Sequence, residues 1–267
     1  FGQQDGFRLA LIKVEATVPP PPEPEPEPDA EPGSGPAGTD RKSPRRGLRR
    51  VSREELYTDI GQASRLTPVF LLMVILSTIV AAVGLMRDDL AIVIGAMVIA
   101  PLLGPNIGLS LAAALGDRDL ALGALRAAGA GALVAAALAI AIGALAQVDP
   151  AVPAIAARTQ PSVGDIALAL ASGAAGALAF TSGVPSVVVG VMVAVALLPP
   201  LVVAGLLVGA GLWQPALGAL TLVLTNVTCV NLSAMGTFYL LDVRPRSWWE
   251  ADRARRATRR AALAWVL

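Results

Sequence analysis

Long apolar blocks punctuated by short polar interruptions dominate this chain. From Pro68 to Met86 no residue is charged, and Arg87, Asp88 and Asp89 then break the run. A second apolar stretch spans Leu90 to Leu115, a turn follows at Gly116 to Asp119, and a third stretch spans Leu120 to Ala146. The segment 147–163 is longer and carries Pro150, Pro153 and Pro161. Apolar sequence resumes from Gly164 to Phe180, from Pro185 to Gly211 and from Pro215 to Leu241. Each block approaches the ~20 residues that an α-helix needs to cross hydrocarbon. Thr67 followed by Pro68 is a helix-start signal. The pattern predicts an all-α integral membrane fold with six spans.

The flanks differ. Residues 1–18 contain a partly alternating apolar run from Phe7 to Val18, read as the last strand of a truncated soluble N-terminal domain or as a disordered end. Residues 19–50 hold ten prolines, with Pro–Glu alternation, and form a spacer that ends in a basic stretch. Ser52 and Glu55 make a capping-box pattern, and Leu56, Ile60 and Ala63 share one side, so a juxtamembrane amphipathic helix is expected within 51–65. Residues 244–267 are basic and then apolar, the start of a possible truncated seventh helix.

Charge fixes the direction of the spans. Eight Lys or Arg lie within 41–65 and seven Arg between Arg244 and Arg260. Both ends are therefore expected in the cytoplasm of a multi-pass plasma (inner) membrane protein, with 147–163 outside. The same basic flanks would meet anionic lipid. The small-residue stretches, such as Gly173 to Gly176, suit close helix packing and a homo-oligomer.

The chain also repeats itself. Set without gaps, residues 95–125 and 190–220 are identical at 13 of 31 positions, including Met97/Met192, Pro105/Pro200 and Gly116/Gly211. Chance in so Ala- and Leu-rich a chain gives roughly five. Spans one to three (66–146) thus correspond to spans four to six (164–243). An odd number of spans per copy makes the two copies an inverted-topology repeat, an arrangement frequent among transporters.

Prolines sit in the central member of each copy: Pro101 and Pro105 in span two, Pro199 and Pro200 in span five. Inside a helix each removes a backbone donor, and in hydrocarbon the freed carbonyls must meet protein groups or line a wet cavity. Spans two and five are therefore expected to break near the bilayer midplane, with Gly104 loosening the first and new helical segments starting near Pro105 and Pro200. Packing kinks without a cavity are the competing reading. Asn106 and Ser110 follow the first break, and Thr225, Asn226 and Asn231 make span six unusually polar. Such residues face protein or water, as pathway lining or as interhelical hydrogen bonds. These ten residues form the expected substrate pathway. Arg126, the one cation well inside an apolar block, either snorkels to the cytoplasmic surface, pairs with Asp117 or Asp119, or attracts an anion at the inner mouth.

Composition narrows the chemistry. The chain has no His and one Cys, Cys229, so imidazole metal sites, a His base and an internal disulfide are excluded, and neither cofactor nor metal is expected. No span carries a mid-membrane carboxylate, which argues against an enzyme and against a dehydrated cation as cargo. A net charge of +1 averages two basic flanks against an acidic spacer and gives no reason to expect nucleic acid.

Five stretches resemble a bacterial membrane family known as domain of unknown function 389: Leu76 to Gly84, Val93 to Pro105, Ala167 to Leu178, Val195 to Pro200, and Leu224 to Asn226 with Val230 and Asn231. The likeness covers about 51–260. It implies a multispan inner-membrane protein, frequently with a soluble domain on one side, and no established activity. The expected function is transporter- or channel-like, moving a small anion or small neutral solute past the helix breaks. The alternative is a non-transporting scaffold or sensor coupled to a soluble cytoplasmic domain.

Overall fold

The computed structural model describes residues 53–182 and 186–243, and side chains within them except at 53 and 186–195. The expected N-terminal strand, the Pro–Glu spacer, the Ser52 cap, the connection at 183–185 and the 244–267 segment lie outside the described residues. Among the described residues the fold is wholly helical: α1 (Arg53–Ala63), α2 (Pro68–Met86), α3 (Leu90–Ile99), α4 (Leu103–Leu115), α5 (Arg118–Leu145), α6 (Pro153–Ala156), α7 (Val163–Ser182), α8 (Ser186–Gly209) and α9 (Trp213–Leu240).

Local chemistry sets the boundaries. The Thr67 hydroxyl accepts from the Phe70 amide at 3.1 Å, and Pro68 opens α2 where no donor is needed. The Asp89 carboxylate accepts from Ala91 and Ile92 at the start of α3, and the Asp117 carboxylate from Asp119 and Leu120 at the start of α5. Gly116 and Gly211 end α4 and α8 in the left-handed region, at φ 70° and 75°, which glycine enters without steric cost.

Four helices, α2, α5, α7 and α9, are long and apolar enough to cross a membrane, and α3 with α4 adds a fifth if the bent pair counts as one span. Their surface is inverted relative to a water-soluble bundle. On α5 the buried positions are small (Ala124, Ala127, Gly131, Ala135, Ala139, Gly143), while Leu122, Leu125 and Leu133 point outward. Small residues let backbones touch: a methyl group on Gly143 would overlap the Leu206 carbonyl, and one on Gly209 the Ile140 carbonyl. Outward leucines without a polar belt are stable only against lipid, so the chain is a membrane protein.

The segment expected as the second span breaks at Pro101, and its second half starts two residues before Pro105. α3 stops at Ile99 and α4 starts at Leu103, bent by 55°. Ala100 is extended (φ −69°, ψ 118°), as the ring of a following proline demands of its predecessor. The new helix therefore begins at Leu103 rather than at Pro105. Pro105 falls in its first turn, where a missing donor costs nothing.

The segment expected as the fifth span, α8, corrects the expectation of a second break. α8 runs unbroken through Pro199 and Pro200. The reason lies on the neighbouring helix. Pro200 leaves the Ala196 carbonyl without its helical donor, and the Asn226 side-chain amide on α9 supplies one at 2.7 Å. With the carbonyl orphaned by Pro200 satisfied inside the protein, that proline no longer favours opening of the helix. The paired-break architecture is thus reduced to one break, in the first copy.

α1 lies within the stretch expected to form an amphipathic helix, and its apolar side packs on the protein. Leu56, Ile60 and Ser64 are buried against the core, while Ala63 stays exposed at its rim. The Ser64 hydroxyl donates to the Gly104 carbonyl at 2.9 Å, and a methyl group on Gly104 would overlap the Ala63 carbonyl. At its other end Tyr57 donates to Asp117 at 2.7 Å, so α1 runs antiparallel along α4.

Candidate functional site

The helix break gathers three polar side chains of the apolar helices, those of Asn106, Ser110 and Asn231. Pro101 lies half-buried between α3 and α4; Gly104, Pro105 and Asn106 occupy the buried first turn of α4, and Ser110 follows one turn on. The Asn106 amide donates to the Leu102 carbonyl at 2.8 Å, holding the turn at the break. From α9, Asn231 reaches across: its amide nitrogen lies 3.2 Å from Asn106 Oδ1 and 2.9 Å from the Val227 carbonyl, and its Oδ1 accepts from Ser110 at 3.0 Å. Three buried side chains on two helices 125 residues apart in sequence thus form one hydrogen-bonded set.

Asn226 stands on α9 on another face. A carbonyl only accepts, so its Nδ2 must point at Ala196. Its Oδ1 is then left buried with no partner, as is the Ser172 hydroxyl of α7. Buried acceptors of this kind are paired in most proteins, by water where not by protein. Pro199 and Pro200 are buried beside this position, and Thr225 is half-buried and joins neither set. The structure therefore brings together Asn106, Ser110 and Asn231, sets Asn226 against the proline pair of α8, and leaves Thr225 aside.

Arg126 lies apart from the break, exposed on α5, on a cavity between α5 and the end of α1. It pairs with neither Asp117 nor Asp119. Sequence reasoning missed Ser64, which lines this cavity and bonds the break; its place one turn beyond Leu56 and Ile60 on the buried stripe was the available signal. It also missed Asp88, which accepts from the Ala154 amide at 2.8 Å and so joins the α2–α3 turn to α6. Nearby, Arg158 is half-buried; burial lowers its pKa, while Asp165 and Asp88 act to raise it.

At the Asn106–Ser110–Asn231 set the protein offers amides, hydroxyls and backbone groups and no carboxylate, and α4 adds the partial positive charge of its uncapped N-terminus.

Comparison with known proteins gives a family and a relative, neither with a described activity. The model of the family Domain of unknown function (DUF389) matches residues 97–232. The chain is 42% identical over 217 residues, 81% of its length and 68% of the relative's, to the uncharacterized protein MJ0678 of Methanocaldococcus jannaschii. That relative comes from an archaeon, so the likeness is not restricted to bacteria. No solved structure matches the chain.

Proposed function

This chain belongs to the DUF389 family, and from that premise we propose that it is a six-span, transporter- or channel-like membrane protein that moves a small anion or small neutral solute past the break between α3 and α4. The observation that carries the reading is the buried Asn106–Ser110–Asn231 set at a broken helix inside apolar protein. Irregular backbone at membrane depth is tolerated where it is enclosed by protein or lines a cavity, and polar side chains there mark solute paths.

Six crossings follow if the bent α3–α4 pair and α8 each span once. End-to-end contacts support this. Tyr57 before the first crossing meets Asp117 after the second; Asp88 after the first meets Ala154 after the third; and Thr159 packs on Gly218 near the start of the last helix. An inverted repeat is supported by neighbour relations that survive exchange of the halves. The pairs α4–α9 and α8–α5, α2–α5 and α7–α9, and α4–α5 and α8–α9 correspond. Gly116 and Gly211, equivalent in the two copies, make the same left-handed turn. α8 lies parallel to α5, with Gly205 at Ala139 and Gly209 at Ala144, so these turns fall at opposite ends of the bundle. The basic flanks argue for both ends in the cytoplasm, and we read the protein as a non-enzyme of the plasma membrane.

One observation favours the scaffold or sensor instead: the asparagine set is internally satisfied and α8 is unbroken, as a sealed interior would require. The two are separated by osmotic swelling of proteoliposomes in a panel of small anions and neutral solutes. The transport reading expects solute-selective swelling above empty vesicles, reduced at least tenfold by Asn231→Leu. No swelling in any solute with correctly folded protein would leave the scaffold.

A further inference from the structure

Where α1 ends and α5 begins, the bundle holds an open cavity of about 410 Å³. Ser64, Arg65 and Thr67 line one wall; Asp119, Gly123 and Arg126 line the other. The α5 positions recur at intervals of four and three, so a single helix face points into the space. Two arginines and one aspartate thus line one cavity, and no ion pair ties Arg65 or Arg126 among the described residues.

The surroundings distinguish this pair from ordinary solvated arginines. Leu66, Leu122 and Leu125 are 45%, 50% and 56% exposed around it, and the uncharged run of α2 begins at Pro68, next to Thr67. The cavity therefore lies where apolar surface gives way to polar surface, the level at which hydrocarbon meets headgroups. Thr67 accepts from Phe70, which leaves its hydroxyl proton free to donate. The N-terminus of α2 adds partial positive charge on the same side.

We propose that this cavity binds a phosphate-bearing anion, a phospholipid headgroup or free phosphate, held by Arg65 and Arg126 with Thr67. The planar guanidinium fork matches phosphate oxygens, and Arg65, just beyond the end of α1, and Arg126 on α5 stand on the two walls from which one phosphate would be gripped. Asp119, at the cavity's edge, disfavours a second anionic group, so a monoanionic or dianionic single phosphate fits better than a polyphosphate. The site is independent of transport: a phosphate held here would tie α1 to α5 whether or not solute passes the break.

The test is thermal unfolding of the full-length protein in neutral phosphatidylcholine nanodiscs. Short-chain phosphatidic acid is titrated in one arm and sodium phosphate, at matched ionic strength, in the other. A saturable rise in the melting temperature is expected in at least one arm; the lipid arm alone identifies a headgroup, and both arms identify the phosphate itself. The Arg65→Gln, Arg126→Gln double variant should weaken the effect roughly tenfold. Gly123→Leu, whose added side chain meets open space on the cavity wall, should block it while retaining every charge. Arg118→Gln, on α5 but outside the cavity, should leave it unchanged. No rise in either arm overturns the proposal, as does a rise retained in the Gly123→Leu protein or lost equally with Arg118→Gln.

Discussion

Asn226 shows how one side chain decides the shape of a neighbouring helix. Its amide stands in for the donor that Pro200 lacks, at the Ala196 carbonyl. Asn226→Leu strands that carbonyl in a buried site and should destabilise the protein by about 1–3 kcal/mol. Pro200→Ala restores a helical donor to the same carbonyl. In that background the Asn226→Leu penalty should largely vanish, a non-additivity readable as a double-mutant cycle of denaturant midpoints. The polarity of Asn106, Ser110, Asn226 and Asn231 was legible in the sequence, because amides are rare in apolar spans. Which carbonyl Asn226 covers was not, since that depends on the packing of α8 against α9. Tyr57 gives a second residue-scale prediction. Its hydrogen bond to Asp117 holds the phenol neutral and pushes its pKa up to about 12. The unfolded chain ionises nearer 10, so this contact's contribution is intact below pH 10 and is lost as pH rises toward 12. Ultraviolet titration should show one of the two tyrosines ionising late, and Asp117→Asn should bring it back.

Among helices, the contrast between α3–α4 and α8 is the lesson. Pro105 and Pro200 match in the repeat, but Pro101 falls opposite Ala196, so only the first copy carries a proline at the point where its helix stops. Pro101 forces Ala100 out of helical geometry. Gly131, which matches Asn226 in the first copy, packs instead on Phe70 of α2. The extra proline is written in the sequence; how Asn226 meets the carbonyl beneath Pro200 is a matter of packing. The caps at Thr67, Asp89, Asp117 and Gly116 were legible, because they act within a turn of their own position. The burial of α1 against α4 was not, because it rests on Gly104, which admits the backbone at Ala63. Gly104→Ala would press a methyl group into the Ala63 carbonyl and should cost about 1–3 kcal/mol, or release α1. Limited proteolysis near Arg65 distinguishes the two: faster cleavage means α1 has left its groove.

For the whole molecule, the proposed transport role requires a polar interior reached through the break between α3 and α4. Apolar blocks and their lengths were legible from hydropathy alone, and the repeat from identity at a fixed offset. The unbroken fifth span and the inward α1 emerge only when helices are assembled. Topology is testable directly: in a Cys229→Ser background, a cysteine placed at Gln147 should react with a membrane-impermeant thiol reagent from outside whole cells, and one at Asp117 only after lysis. The sharpest test concerns the break itself. In the same background, Ala100→Cys is exposed in proteoliposomes to a small water-soluble thiosulfonate, with a cysteine at Ala139, buried between α5 and α8, as the dry reference. Modification at position 100 within minutes, slowed by Asn231→Leu and absent at position 139, is the predicted result; a residue at position 100 as unreactive as the reference, in protein that folds normally, would contradict a solute path at the break.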